Sequence, residues 1–102
     1  MKVIDQAKNF WYLFEEGGGF LLDVNCSHNF VSYDFMLFLD EKEIELYNNN
    51  GNEYLNELAN QINYLSPISK LRNSKYKARN VHDEYAEKSV EAIDLWRKWY
   101  NN

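Results

Sequence analysis

The strongest constraint on the fold is a regular alternation of apolar residues between positions 20 and 39. Every even position from Phe20 to Cys26 is apolar, and so is every odd position from Val31 to Leu39. Because successive side chains of a strand point to opposite faces, each run predicts a strand with one apolar face. The four residues between the runs, "SHNF", are few enough to close an antiparallel hairpin. Two strands alone are marginally stable, so we expect helices to cover the apolar face.

Three helices are predicted after this hairpin. Asp40 and Glu43 have the spacing of a capping box, with Leu39 placed to pack on Ile44, so a helix is expected from Asp40 to about Tyr47. The segment "NEYLNELANQINYL" then places its apolar residues on one helical face. The segment "VHDEYAEKSVEAIDLWRKWYNN" predicts a long C-terminal amphipathic helix.

The N-terminal segment is predicted to be helical as well. Val3, Ala7, Phe10 and Phe14 recur at helical spacing, although the aromatic density of "FWYLF" also suits a strand. Three glycines at 17 to 19 then permit a sharp reversal before the next element. The predicted fold class is therefore α+β: a small antiparallel sheet built on a central hairpin and packed by three to four helices.

Length and composition predict one domain over residues 1–102 that folds without a metal or disulfide. A chain of 102 residues with 45% hydrophobic composition has enough apolar material for one core. The single cysteine, Cys26, is typical of a reducing compartment, so we expect a cytoplasmic protein. No apolar run is long enough for a signal peptide or a membrane span. Residues 67–80 are basic and aperiodic, which predicts an exposed connection between helices.

Charge is distributed unevenly along the chain. Residues 1–69 carry three lysines against eleven acidic residues, whereas residues 70–102 carry eight basic residues against five acidic ones. The net charge of −5 disfavours general affinity for nucleic acid and is compatible with a basic partner.

The sequence contains no recognisable reaction chemistry. Cys26 lies on the apolar face of its strand and is expected in the core. The glycines precede a strand instead of opening a helix, and no Lys-Ser or Lys-Thr pair follows, so they do not form a phosphate loop. His82 has no second His or Cys at ligand spacing. We therefore predict no enzymatic activity, no cofactor and no metal site.

Two acidic sets are candidate partner-binding residues. Asp23 and Asn25 lie on the predicted non-core face of the first hairpin strand, and Asp34 lies on the equivalent face of the second. Asp83, Glu87, Glu91 and Asp94 form a stripe along the last helix. The stripe is also what a solvated helix face looks like, so the two interpretations stay open. On the functional interpretation the carboxylates meet a cationic protein, with Tyr33, Tyr54 or Tyr64 as aromatic anchors.

The layout of the first two-thirds of the chain resembles a known class of proteins. "FWYLFEEGGGFLLDVNCS", followed by "LFLDEKEIELYNNNGNEYLNELANQI", is similar to the small immunity proteins that bacteria encode beside polymorphic toxins, including those of contact-dependent growth inhibition systems. The resemblance implies a stoichiometric inhibitor in the cytoplasm whose partner is a cognate toxin domain. Many such toxins are nucleases with a basic cleft, which an acidic surface can occlude.

Two alternatives remain open. The basic residues between positions 70 and 79, with Tyr76, would suit a small nucleic-acid-associated regulator. A non-catalytic adaptor subunit of a larger complex is the other. The oligomeric state is not predicted by any feature of the sequence.

Overall fold

In the described part of the chain, four strands form one antiparallel sheet. In this computed structural model, which describes residues 1–28, 31–65 and 76–100, the strands are β1 (Lys2–Ala7), β2 (Trp11–Glu16), β3 (Gly19–His28) and β4 (Val31–Phe38). Their spatial order is β1-β2-β3-β4, the order in which they follow one another along the chain. The predicted antiparallel pairing of the central hairpin is confirmed, with Leu22 opposite Leu37 and Val24 opposite Phe35.

The predicted N-terminal helix is wrong, because this segment forms the β1-β2 hairpin. The chain reverses at Asn9, whose φ of 61° is left-handed, and the amide of Phe10 donates to the carbonyl of Ala7 at 2.9 Å. Asparagine tolerates this conformation better than most residues. The aromatic run then extends along β2, where Trp11 and Phe14 are buried on opposite faces of the sheet.

A β-bulge in β1 directs side chains of this edge strand to both faces of the sheet. Val3 pairs with Phe14, but Asp5 pairs with Leu13, so Ile4 is an extra residue between them. The bulge places Val3 in the core that Phe14 joins, while the Asp5 carboxylate accepts a hydrogen bond from the Tyr47 hydroxyl at 2.9 Å.

Among the described residues, three α-helices follow the sheet. They are α1 (Glu41–Asn50), α2 (Asn52–Leu65) and α3 (His82–Tyr100), with a 3₁₀ turn at Lys77–Arg79 before α3. The predicted capping box is confirmed: the Asp40 carboxylate accepts from the Glu43 amide, and the Glu43 carboxylate accepts from the Asp40 amide, both at 2.8 Å. The fold is thus a mixed α+β one, with a four-stranded antiparallel sheet and, among the described residues, three α-helices.

The first core lies between the sheet and the α1-α2 pair. It contains the apolar face predicted for the central hairpin together with Leu55, Leu58, Ala59 and Ile62 of α2. Cys26 is buried in it, as predicted. Two asparagines of α2 tie the layers together: Asn56 accepts from the indole N–H of Trp11 at 2.8 Å, and Asn63 accepts from the Ser27 amide at 3.0 Å.

The opposite face of the sheet, expected to face solvent, is instead covered by α3. Leu21, Met36 and Phe14 are fully buried there against Ala92, in a second core. The central strands are therefore buried on both faces. The signal was present in the sequence, since Leu21, Met36 and Phe38 interrupt the polar positions of the alternation.

The basic segment differs from the predicted exposed connection at its described end. Tyr76 is buried in the first core and its hydroxyl donates to Gln61 at 2.9 Å. The Arg79 guanidinium forms a bidentate pair with Glu43, with Nη1 donating to Oε2 at 3.0 Å, and Nη2 also donates to the Phe38 carbonyl. The remainder of the predicted connection, residues 67–75, lies outside the described residues.

Replacing Arg79 with alanine tests whether this pair holds the end of the segment against α1. Glu43 is mostly buried, so its carboxylate would lose a charged partner and the Phe38 carbonyl a donor. We expect the free energy of unfolding to fall by about 2 kcal/mol, measured by chemical denaturation. The control is Lys98→Ala, because Lys98 is exposed. A loss no larger than that of the control would contradict this role for Arg79.

Candidate functional site

Helix α3 crosses one face of the sheet from β4 to β1. At its start, the Val81 amide donates to the Met36 carbonyl at 2.8 Å. Two edge-on aromatic pairs then fix the helix: Tyr85 with Phe38 at 5.4 Å between ring centroids, and Trp96 with Tyr12 at 5.9 Å. Such pairs stabilise packing beyond the area they bury. They orient α3, so that its opposite side faces solvent.

The predicted acidic stripe lies on that solvent-facing side. Asp83, Glu87, Glu91 and Asp94 are all exposed. The side chains recur at steps of four, four and three residues, which brings them to one face of a helix. The stripe is therefore available to a partner, although exposure is equally what a solvated face requires.

Three large apolar side chains are exposed beside the stripe. Val90 is 59% exposed, Leu95 58% and Trp99 82%. Leu95 and Trp99, with Trp96, line an open groove of about 560 Å³ whose other wall is Met1, Lys2 and Val3 of the sheet edge. We call the four acidic residues together with Val90, Leu95 and Trp99 the α3 surface.

The exposure of Trp99 was not predicted, although helix length indicates it. The 19 residues of α3 span roughly 28 Å. Four strands are only about 14 Å wide between the outer two, so the last turns of α3 overhang β1. The proposed tyrosine anchors lie elsewhere: Tyr33 and Tyr54 are half-buried against the first core, and Tyr64 is exposed on α2.

The strand residues of the other acidic set lie together on the sheet face that α3 covers. Asn25 is directly opposite Asp34 across β3 and β4, and Asp23 is two pairs further along, opposite Met36. Asp34 and Asn25 are exposed, but Asp23 is only 6% exposed because the α3 side of the sheet is packed. Both predicted sets therefore lie on the same side of the molecule. The strand residues lie on the sheet face that α3 covers, and the stripe lies on the outer side of α3.

Asp23 is an unusual group for a buried position. Its Oδ1 atom is buried and has no hydrogen-bond partner among the described residues. Burial raises the pKa of Asp23 from 3.8 to about 7, the charge of Asp34 adds to the rise, and His82 opposes it. The carboxyl group thus changes protonation near neutral pH, which is typical of functional sites and also of strained structural ones.

The described residues show neither a metal centre nor a membrane-spanning helix. Among them, no three His, Cys, Asp or Glu side chains are placed to hold a metal ion together. Within the same ranges, no helix combines the length and the apolar character needed to cross a bilayer.

Comparison with protein-family models, with curated proteins and with solved structures found no match to this chain.

Replacing Asp23 with asparagine tests the burial of its charge. Between about pH 4 and pH 7 the folded state keeps a proton that the unfolded chain releases, so rising pH lowers the stability of the wild type through this group. Asparagine does not titrate. We expect the stability of Asp23→Asn relative to the wild type to increase by roughly 2 to 3 kcal/mol between pH 5 and pH 8, measured by urea denaturation. A stability difference that does not change with pH would show that Asp23 is not buried as described.

Proposed function

We propose that this protein acts as an immunity protein, a non-catalytic inhibitor that binds a cognate toxin domain, and that it binds through the α3 surface. The observation that carries the proposal is the exposure of Trp99, Leu95 and Val90 on the same helix as four exposed carboxylates. The layout of the sequence, which resembles that of small immunity proteins, is consistent with this proposal.

The apolar part of the surface supplies the expected binding energy. Exposed tryptophan is among the residues most often found at the energetic centre of protein interfaces. Trp99 and Leu95 also line a groove that continues to Met1 and Val3, so a partner would bury a connected apolar area instead of isolated side chains.

The acidic part supplies orientation and rate. Carboxylates arranged along a rigid helix attract a basic surface and fix its register against the apolar groove. If the partner is a nuclease, its phosphate-binding cleft is basic, and the carboxylates of α3 would occupy positions that substrate phosphates otherwise take. Neutralisation then requires no reaction by this chain, and the cytoplasm is where we expect it to act.

Two of the residues on which the alternative role in nucleic-acid binding depends are engaged elsewhere in the fold. Arg79 is paired with Glu43, and Tyr76 is buried in the first core, so neither is presented to a phosphate backbone or a base. Lys70, Arg72 and Lys75 lie outside the described residues. No feature of the described residues favours a second function over toxin binding.

Reversing charge on the stripe tests the electrostatic part of the proposal. Glu87→Lys with Asp94→Lys should weaken binding at least tenfold at low salt, and less at high salt, because the charges interact through solvent. The measurement is a calorimetric titration against the protein domain encoded beside this gene, which the proposal expects to be the toxin. Glu45→Lys with Glu57→Lys makes the same charge change on α1 and α2, on the opposite side of the sheet, and should leave affinity within about threefold. Equal effects of the two pairs would contradict a role for the stripe.

Truncating Trp99 tests the apolar part. Trp99→Ala should weaken binding by about 2 kcal/mol, roughly thirtyfold, mostly through faster dissociation. Surface plasmon resonance separates the two rates. Tyr64→Ala is the matched control, because Tyr64 is 65% exposed but lies on α2. A larger loss with Tyr64→Ala than with Trp99→Ala would move the interface to the α2 side of the molecule.

A further inference from the structure

A small cavity lies where the two strand carboxylates approach the last turns of α3. Its volume is about 240 Å³, below the range of pockets that enclose drug-sized ligands. Asp23 and Asp34 lie in its wall, Phe10 and Tyr12 add aromatic rings, and Arg97 lies at the end of α3. The cavity is separate from the groove beside Trp99, with which it shares no residue.

The Asp23 carboxyl group beside this cavity is not fully hydrogen-bonded by the described residues around it. The Oδ1 atom of Asp23 is buried and unpaired among the described residues. The side chain of Asn25 is already engaged, since its oxygen accepts from the Ser32 hydroxyl at 3.1 Å and its amide donates to the Asn9 carbonyl at 3.4 Å. A buried carboxyl group left in this state costs free energy, part of which a cation placed beside it would recover through its charge.

The groups around Asp23 indicate which kind of ligand the cavity would accept. Asp34 on β4 and His82 on α3 are the charged groups that act on Asp23, and Tyr12 of β2 and Arg97 of α3 line the same cavity. Among the described residues Arg97 makes no ion pair within 4.0 Å of either carboxylate. A metal ion would need further ligands, and the described part of the chain offers no cluster of three. An organic cation needs only the two acceptors and the aromatic wall.

We propose that this cavity binds the cationic head of an organic ligand, a guanidinium or an alkylammonium, with its charge against Asp23 and Asp34. The head can come from a small free amine or from an arginine or lysine side chain of a protein. The proposal stands apart from toxin binding by the α3 surface, because a free cation needs no partner protein.

Binding should depend on pH through Asp23. The cation favours the charged carboxylate, and Asp23 is protonated below its pKa of about 7. Affinity should therefore fall about tenfold for each pH unit below 7 and change little above pH 8. Binding near neutral pH should also release a proton.

The test is an NMR titration of the isotope-labelled protein with methylguanidinium at pH 8. Saturable shifts are expected at the amides of Tyr12, Asp23 and Asp34, and the neutral analogue methylurea should not produce them at the same concentration. Equal shifts with both compounds would overturn the proposal, as would an affinity for methylguanidinium that is the same at pH 5 and pH 8.

Two variants keep the test independent of folding effects. Asp23→Asn should weaken methylguanidinium binding at least tenfold, and Asp34→Asn, at an exposed position, should weaken it severalfold without entering the core. Glu45→Gln, which removes a charge on the other side of the sheet, should leave it unchanged. Wild-type affinity in both cavity variants would overturn the proposal.

A second probe identifies the source of the cation. The peptide acetyl-Gly-Arg-Gly-amide presents the same guanidinium on a backbone. Binding of the peptide at least as tight as that of methylguanidinium assigns the cavity to a protein side chain, and binding of methylguanidinium alone assigns it to a small free ligand. Failure of the α3 variants to affect toxin binding would leave these results unchanged.

Discussion

The packing of α3 on the sheet is the interaction on which the rest of the structure depends. Without it, Phe14, Leu21 and Met36 would face water, although each is fully buried. At about 25 cal/mol per Å² of apolar surface, each of these side chains contributes on the order of 2 kcal/mol. Two hydrogen bonds to Met36 hold the chain at the start of the helix. The Val81 amide donates to the Met36 carbonyl, and the Met36 amide donates to the side-chain oxygen of Asn80. The same packing buries Asp23 and presents the α3 surface.

The elements predicted correctly are those whose signals are local. The alternation along β3 and β4 and the capping box of Asp40 and Glu43 each involve residues close in sequence, and each is present in the structure. The N-terminal hairpin was missed because its apolar residues suit both the helical period and the strand period. The turn of the hairpin depends on one left-handed residue, Asn9. Tertiary pairing with β3 then overrides the helical pattern.

The candidate site was predicted less completely, because it depends on residues far apart in sequence. The alternation identified Asp23, Asn25 and Asp34 as neighbours on one face, but it could not show that a helix some sixty residues later covers that face. The helical period of α3 placed Trp99 with the packed residues. Its exposure follows from the width of the sheet, which is known only once β1 and β2 are recognised as strands.

One side of this molecule combines features that a purely structural domain does not require: an exposed tryptophan, an acidic helix face and a buried carboxyl oxygen with no hydrogen-bond partner among the described residues. All three follow from α3 lying over the second face of the sheet. The most direct measurement of that arrangement is a carbon-13 NMR titration of the Asp23 carboxyl carbon in the unliganded protein. We expect a midpoint near pH 7. A midpoint near pH 4, the value of a solvated aspartate, would show that α3 does not cover this face.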